Sequence, residues 1–382
     1  MPSPDPPPAP PPQSGEQRPA AAGGASSELK EHLLLPGRRL GLALVLGGLG
    51  GWGFVQLGMP LPWMLGAVCL TMAGALGRLP LAVPNSFRTG MMVVLGVLVG
   101  SGFNPQILGE ALRWVPSISF VLAYTVVLTG LGMLFFQYAA GFNRLDAFFA
   151  GLPGGLAATI FIGAEVGADL RTLSVVHSMR IVTVCFVIPL WIRFVEGVVT
   201  APLVPSLSFA MSWQDAVLLT ACGVVGFFVA RRIRLPAHFM MGPLLFSGAA
   251  HIAGLTVARP PRLLVIAAQV VVGSAIGCRF VGMPVRQVAG RVMLGLAYAL
   301  LILGVALGCA FLLHRWTGLP TSAMLLALAP GGLPEMTLIA LALDVELALV
   351  VSHHLVRMLF INLVVPLTFR MLLRLETPPS DG

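Results

Sequence analysis

Charge is scarce in this sequence. Only 10% of its 382 residues are Asp, Glu, Lys or Arg, while 57% are hydrophobic. Soluble domains carry charge on about 25% of their residues, so this composition cannot cover an ordinary water-facing surface. Polar stretches between the apolar runs are scarce too, which excludes a soluble catalytic or DNA-reading module. Lysine is almost absent: Lys30 is the only one, and the net charge of +8 is an arginine charge. Arg38, Arg39, Arg231, Arg232 and Arg234 stand at the ends of apolar runs. There they read as topology signals and not as a nucleic-acid surface. The five cysteines, Cys69, Cys185, Cys222, Cys278 and Cys309, lie inside apolar runs without CxxC spacing. They read as small core or lipid-facing residues. A signal peptide is lacking, because no charged start precedes a short apolar core.

What the sequence has is a long series of apolar runs, many near the 17 to 25 residues that cross a bilayer core. The expected fold is an all-α polytopic membrane protein with ten to twelve transmembrane helices, seated in the inner (plasma) membrane as a multi-pass protein. Residues 1–36 are rich in Pro, Ala and Gly and read as a disordered tail. After it, apolar segments fall at about 39–57, 63–77, 89–103, 116–138, 145–168 and 170–195. A second series falls at about 213–230, 239–256, 263–278, 291–313, 320–343 and 346–372. Residues 37–200 and 210–375 read as two membrane repeats.

The repeat reading rests on polar and helix-breaking residues 177 positions apart. Gly96, Gly100 and Phe103 correspond to Gly273, Gly277 and Phe280. Pro153, Gly154, Gly155 and Leu156 correspond to Pro330, Gly331, Gly332 and Leu333. Asp169, His177 and Arg180 correspond to Glu346, His354 and Arg357. Chance likeness between greasy segments matches leucines and valines. It does not readily match Pro-Gly-Gly, His and Arg.

Pro-Gly-Gly thus breaks an apolar segment in each repeat. Broken backbone at membrane depth is tolerated where it is buried in protein or lines a wet cavity. Paired breaks in two halves mark a transporter's substrate site; close helix packing is the alternative use of such glycines. If the broken segments span fully, twelve helices form two parallel repeats. If they are re-entrant, ten spans form inverted repeats. The inverted arrangement places more of the loop arginines on the cytoplasmic side.

The segments after the breaks carry the charged groups. A spacing of eleven returns to nearly the same helix face, as for Asp169 with Arg180 and Glu346 with Arg357; His177 and His354 adjoin their arginines. Asp169 and Glu346 suit either a helix cap or ion coupling, and the histidines suit either packing or ion coupling. Arg180 and Arg357 lie at membrane depth and are expected to bind solute or structure the site, with a salt bridge or the carbonyls freed at a break as the alternative. Glu335 has no acidic counterpart, since Ala158 stands at its matching position. It is the candidate proton carrier, because a carboxyl in a dry site can load and release a proton; an ordinary hydrogen-bonded buried acid is the alternative. The expected solute-binding set is Pro153, Gly154, Gly155, Pro330, Gly331, Gly332, Arg180 and Arg357. The expected coupling set is Glu335, His354, Glu346, Asp169 and His177.

The stretch APGGLPEMTLIALALDVELALVVSHHLVRMLFINLVVP resembles the AbrB-type duplicated bacterial membrane proteins. Their halves each carry PGGL-S/P-E-M before a helix with a late arginine. The resemblance covers about residues 40–374. Pro330 to Met336 and Arg357 follow the pattern. The first half keeps Pro153 to Leu156 but has Ala157, Ala158 and Thr159 in place of Ser/Pro-Glu-Met. Members are labelled ammonia monooxygenases or regulators of gene expression, which implies an oxidoreductase or an indirect regulator. A copper enzyme needs imidazole-rich ligation, yet apart from His353 and His354 the histidines are scattered. The residues themselves point to no enzyme, no cofactor, no metal and no direct nucleic-acid contact. The expected partners are the lipid bilayer and a small solute or ion, and a homo-oligomer is compatible with the sequence. The function expected is a secondary transporter of a small anionic solute, proton-coupled through Glu335.

Overall fold

Backbone amides inside a bilayer have no water to bond, so an apolar chain without barrel periodicity satisfies them within helices. The computed structural model describes residues 24–103, 105, 109–110, 112–154, 163, 166–197, 211–235, 237–283, 285–343 and 345–376. Among the described residues there are thirteen α-helices and no strand. The first six are α1 (Gly24–Gln56), α2 (Pro62–Leu76), α3 (Asn85–Gly100), α4 (Val115–Ala140), α5 (Arg144–Gly151) and α6 (Leu170–Val195). Then follow α7 (Trp213–Arg232), α8 (His238–Ile252), α9 (Arg262–Gly277), α10 (Val285–Thr317), α11 (Thr321–Leu328), α12 (Leu333–Ala342) and α13 (Leu347–Glu376). Six stretches are long and apolar enough to cross a membrane. The protein is an all-α polytopic membrane protein. Helix α1 begins at Gly24, inside the stretch expected as tail, where Glu28, Leu29, Lys30 and Glu31 are good helix formers.

Helix positions recur along the chain. α3 and α9 have 16 residues each and start 177 positions apart, at Asn85 and Arg262. α5 and α11 have 8 residues each and start 177 apart, at Arg144 and Thr321. Before that the spacing is 176: left-handed backbone occurs at Leu61 and Ala237, and again at Arg78 and Gly254. One residue has entered the α8–α9 connection relative to the α2–α3 connection, a shift that motif matching alone passes over.

Glycines set the directions of the helices. A Cβ on Gly96 would meet the Met240 carbonyl, and one on Gly100 would meet the Leu244 carbonyl, each at 2.5 Å. α3 and α8 therefore run side by side in the same direction. Gly273 meets Met64, and Gly277 meets Val68 and Thr71, so α9 and α2 do likewise. α1 and α2 touch as an antiparallel hairpin at Gly50 and Gly66, and α7 and α8 touch at Gly226 and Gly242. α3 also packs on α9. Each half thus shows the same pattern: an antiparallel hairpin whose second helix runs alongside the third helix of the other half, in the same direction.

The helices sort into two sets. α1 to α3 pack with α7 to α9; α4 to α6 pack with α10 to α13. The second set holds α6, whose most apolar window is 78% buried, against 28% for α4 and α7. α6 is therefore a core helix, while α4 and α7 keep much of their surface for lipid. The short helix α12 touches both α3 and α6, which places it at the seam between the sets.

Candidate functional site

Each break is made by its own sequence. Proline disfavours helical backbone in the residue before it. Leu152 before Pro153 and Ala329 before Pro330 are both extended, with ψ of 124° and 135°. α5 and α11 stop there, and their last carbonyls lose helical partners. At membrane depth those carbonyls need other donors.

The paired histidines and arginines supply them. Arg180 donates to the carbonyls of Leu152 at 2.6 Å and Gly154 at 2.9 Å. Arg357 donates to Leu328 at 3.1 Å, Ala329 at 2.9 Å and Gly331 at 3.4 Å. His177 Nε2 bonds the Phe149 carbonyl at 3.0 Å, and His354 Nε2 bonds the Leu326 carbonyl at 2.8 Å. A carbonyl only accepts, so Nε2 carries the hydrogen in both rings. His354 Nδ1 then accepts from Arg357 at 2.7 Å. Tyr298 of α10 adds a bond to the Gly151 carbonyl at 2.9 Å. Of the uses weighed from sequence for Arg180 and Arg357, the geometry shows the freed carbonyls. Their guanidinium groups tie the ends of the half-helices in place and are largely occupied in doing so. Helix α10, which supplies Tyr298, packs on both α6 and α11.

Asp169 and Glu346 lie elsewhere. Both are exposed, at the starts of α6 and α13. Asp169 accepts from the Arg171 and Thr172 amides and pairs with Arg291 at 3.7 Å. Burial alone would push its carboxyl up, but the bonds from Thr172, Arg291 and Arg171 outweigh this and hold it below the ordinary value. Glu346 is shifted the other way, first by burial and then by Glu110. Neither acid is brought beside the arginine on its own helix, because eleven residues of helix separate them by roughly 16 Å.

Glu335 is the acid that the breaks do surround. α12 restarts after Gly332 with Leu333 and Pro334 in its first turn, where proline loses no needed hydrogen bond. Glu335 follows in that turn and is 5% exposed. Its carboxyl group folds back over Gly332, so that a Cβ there would collide with Oε2. A Cβ on Gly331 would meet Met336 within 2.6 Å, so the space beside that glycine belongs to a side chain already present. Pro153, Pro330 and Gly331 are buried, and Gly154 and Gly332 are partly so. Gly155 and Ala158 lie outside the described residues.

Sequence reasoning missed Arg279. It sits in the short turn after α9 and looks like one more charge at the end of an apolar run. In the fold its side chain is partly buried. Its Nη1 is buried without a hydrogen-bond partner, and Glu335, Arg88, Cys185 and His177 share its electrostatic surroundings. No contact ion pair joins it to Glu335; among the described residues the ion pair formed is Arg291 with Asp169. Among the described residues, no three His, Cys, Asp or Glu side chains converge as metal ligands.

Comparison with known proteins places this arrangement. No solved structure matches the chain. Residues 63–373 match the family described as transition state regulatory protein AbrB. The YhjN protein of Bacillus subtilis (strain 168) is 21% identical over 88% of this chain and 94% of its own. A protein of Escherichia coli (strain K12), named as a candidate regulator AbrB, is 25% identical over 87% of this chain and 96% of its own. With a match over most of its length, and with the Pro-Gly-Gly breaks inside the matched region, the chain belongs to the AbrB family.

Proposed function

We propose that this AbrB-family membrane protein is a secondary transporter of a small anionic solute in the bacterial inner membrane, driven by protons through Glu335. In this reading the chain is an inverted duplication, and the two helix sets are the bodies whose relative motion carries the solute. One observation carries the proposal: Glu335 is a buried acid at the seam between the sets, just past a helix break. The carbonyls of that break are already satisfied by Arg357 and His354, so the acid is not needed to hold the break together. Paired discontinuous helices are how transporters expose polar groups at membrane depth.

The test is uptake by the purified protein in liposomes, with labelled organic acids and ammonium under an imposed pH gradient. Wild type is expected to accumulate one or more of the acids. Glu335→Gln keeps the shape but removes the acid. It should abolish proton-driven accumulation and leave solute exchange. Accumulation by Glu335→Gln with the wild-type pH dependence would refute the carrier role. The name of the Escherichia coli relative favours a second reading, an indirect effect on gene expression. If Glu335→Gln restores normal expression patterns in a deletion strain as well as wild type does, regulation without transport is the better account.

A further inference from the structure

His251 stands in the last turn of α8 and is 7% exposed. Both of its ring nitrogens are engaged. Nδ1 lies 2.7 Å from the Ser247 carbonyl, one turn back in the same helix. Nε2 lies 3.0 Å from the Ala258 carbonyl, in the connection between α8 and α9. A carbonyl oxygen only accepts, and a neutral imidazole has a single N–H. The two bonds therefore need the doubly protonated ring. In a neutral ring, one nitrogen would turn a lone pair on an oxygen at hydrogen-bond distance. His177 and His354 differ, since each meets one carbonyl through Nε2. Nδ1 of His354 accepts from Arg357, and Nδ1 of His177 has no partner, so one proton serves each of those rings.

The place suits a cation. It is the C-terminal end of a helix, where the partial negative charge of the last carbonyls favours an imidazolium. The charged side chains on the surrounding elements are Asp215 in the first turn of α7, Arg259 in the connection and Arg262 at the start of α9. The two arginines are exposed. From α3, the residues nearest this end of α8 are Val97, Gly100 and Phe103, none of which titrates.

The ring also closes a chain of bonds. Thr256 Oγ1 donates to Asp215 Oδ1 at 2.6 Å, and the Ala258 N–H donates to Thr256 Oγ1 at 3.0 Å. His251 then holds Ala258 by its carbonyl. At Ser247, one turn earlier, Oγ donates to the Val97 carbonyl of α3 at 2.9 Å. One imidazole thus joins α8, already tied to α3, to a connection tied to α7. The first half closes the same connection differently. The positions 176 residues before His251 and Asp215 are Ala75 and Arg39. There the Ala82 N–H donates to the Arg39 carbonyl at 3.5 Å, a backbone bond without a titrating group. A histidine is not required to close such a connection, and in the second half it adds a proton.

We propose that His251 is a proton-binding site, and that the proton it holds locks the α8–α9 connection onto the hairpin of α7 and α8. Histidine changes charge between about pH 5 and 8. When the proton leaves, the ring gives up one carbonyl. The Ser247 carbonyl is fixed within α8, so the connection is what moves, and the bonds through Ala258 and Thr256 to Asp215 loosen with it. The site responds to pH on whichever face of the membrane this connection occupies, and does so independently of transport.

Hydrogen–deuterium exchange of the full-length protein in detergent tests this. Amide exchange in residues 253–259 is measured at about pH 5.5 and about pH 8.5, either side of the histidine range. Each rate is taken relative to an unstructured peptide of the same sequence at the same pH. Wild type is expected to be about tenfold better protected at the lower pH, the scale of one hydrogen bond to a charged group. His251→Gln can donate a hydrogen bond but does not titrate, so it should lose the pH step. His251→Ala should match wild type at the higher pH under both conditions. Alanine stands at the equivalent position of α2, so this variant keeps the fold. Asp215→Asn keeps an acceptor for Thr256 and should keep the step. A wild type without a step, or a step that survives in His251→Gln, overturns the proposal. A step lost in Asp215→Asn and kept in His251→Gln also overturns it and assigns the titration to the acid.

Discussion

Arg180 and Arg357 show how far a residue can be understood before its neighbours are known. An arginine at membrane depth is costly and needs a reason. The reason here is five carbonyls at the ends of α5 and α11. Removing Arg357 leaves three of them without that donor, at about 1–3 kcal/mol for each group left unsatisfied. Arg357→Ala is therefore expected to reduce folded protein sharply, with Arg180→Ala less severe because it serves two carbonyls. Size-exclusion profiles and Tm in detergent would show this. A well-folded Arg357→Ala that had lost only solute affinity would return the arginine to the solute. The spacing of His, Arg and Pro-Gly-Gly was legible in the sequence. Their hydrogen bonds were not, since the carbonyls they reach lie 26 to 29 residues away along the chain. Arg279 was not legible at all, because position in an apolar run does not tell which way a long side chain turns.

At the scale of elements, the two acid-marked helix starts behave differently despite their common register. Asp169 caps α6, and its carboxyl is held below its ordinary value of 3.8. The sign follows: this contribution is fully present above the ordinary value and is lost as pH falls through the lower, folded one. Asp169→Ala should cost about 0.5–2 kcal/mol at neutral pH, as helix caps do, and less in strong acid. Glu346 is raised above its ordinary value of 4.5 by burial and then by Glu110. Its ionisation therefore opposes folding as pH rises from 4.5 through the raised value. Glu346→Gln should raise Tm slightly at pH 7 and leave it unchanged below pH 4. A pH series of Tm for both variants checks the opposite signs. The packed glycines belong to the same scale. Gly96→Leu and Gly273→Leu each drive a side chain into a carbonyl of the facing helix, and overpacking of this kind costs typically 1–3 kcal/mol. Comparable Tm losses in the two variants would agree with equivalent roles in the two halves; a loss in only one would argue against them.

For the whole molecule, the decisive expectation is sidedness. If α1 to α3 and α7 to α9 run in opposite senses across the membrane, the ends of α2 and α8 open on opposite faces. Leu79 and Leu255 are exposed residues just past those ends. Placed singly as cysteines in a background without the native five, they should react with an impermeant thiol reagent from opposite sides. Reaction from the same side would rule out the inverted arrangement.

The sequence by itself determined the solvent and the punctuation of this protein. Its scarcity of charge requires a membrane, since folding in water would leave too little polar surface to cover it. Its prolines end α5 and α11 where they do, because the residue before each cannot stay helical. Tertiary structure decided everything that depends on which distant groups meet. It joined α3 to α8 and α2 to α9 through glycines that allow backbone contact. It gave the two deep arginines to carbonyls and set Glu335 in a buried first turn of α12, at the seam between the two helix sets. Helix breaks are local consequences of backbone sterics, so a sequence announces them. Charge pairing across helices depends on packing directions, and those are set only when the helices assemble.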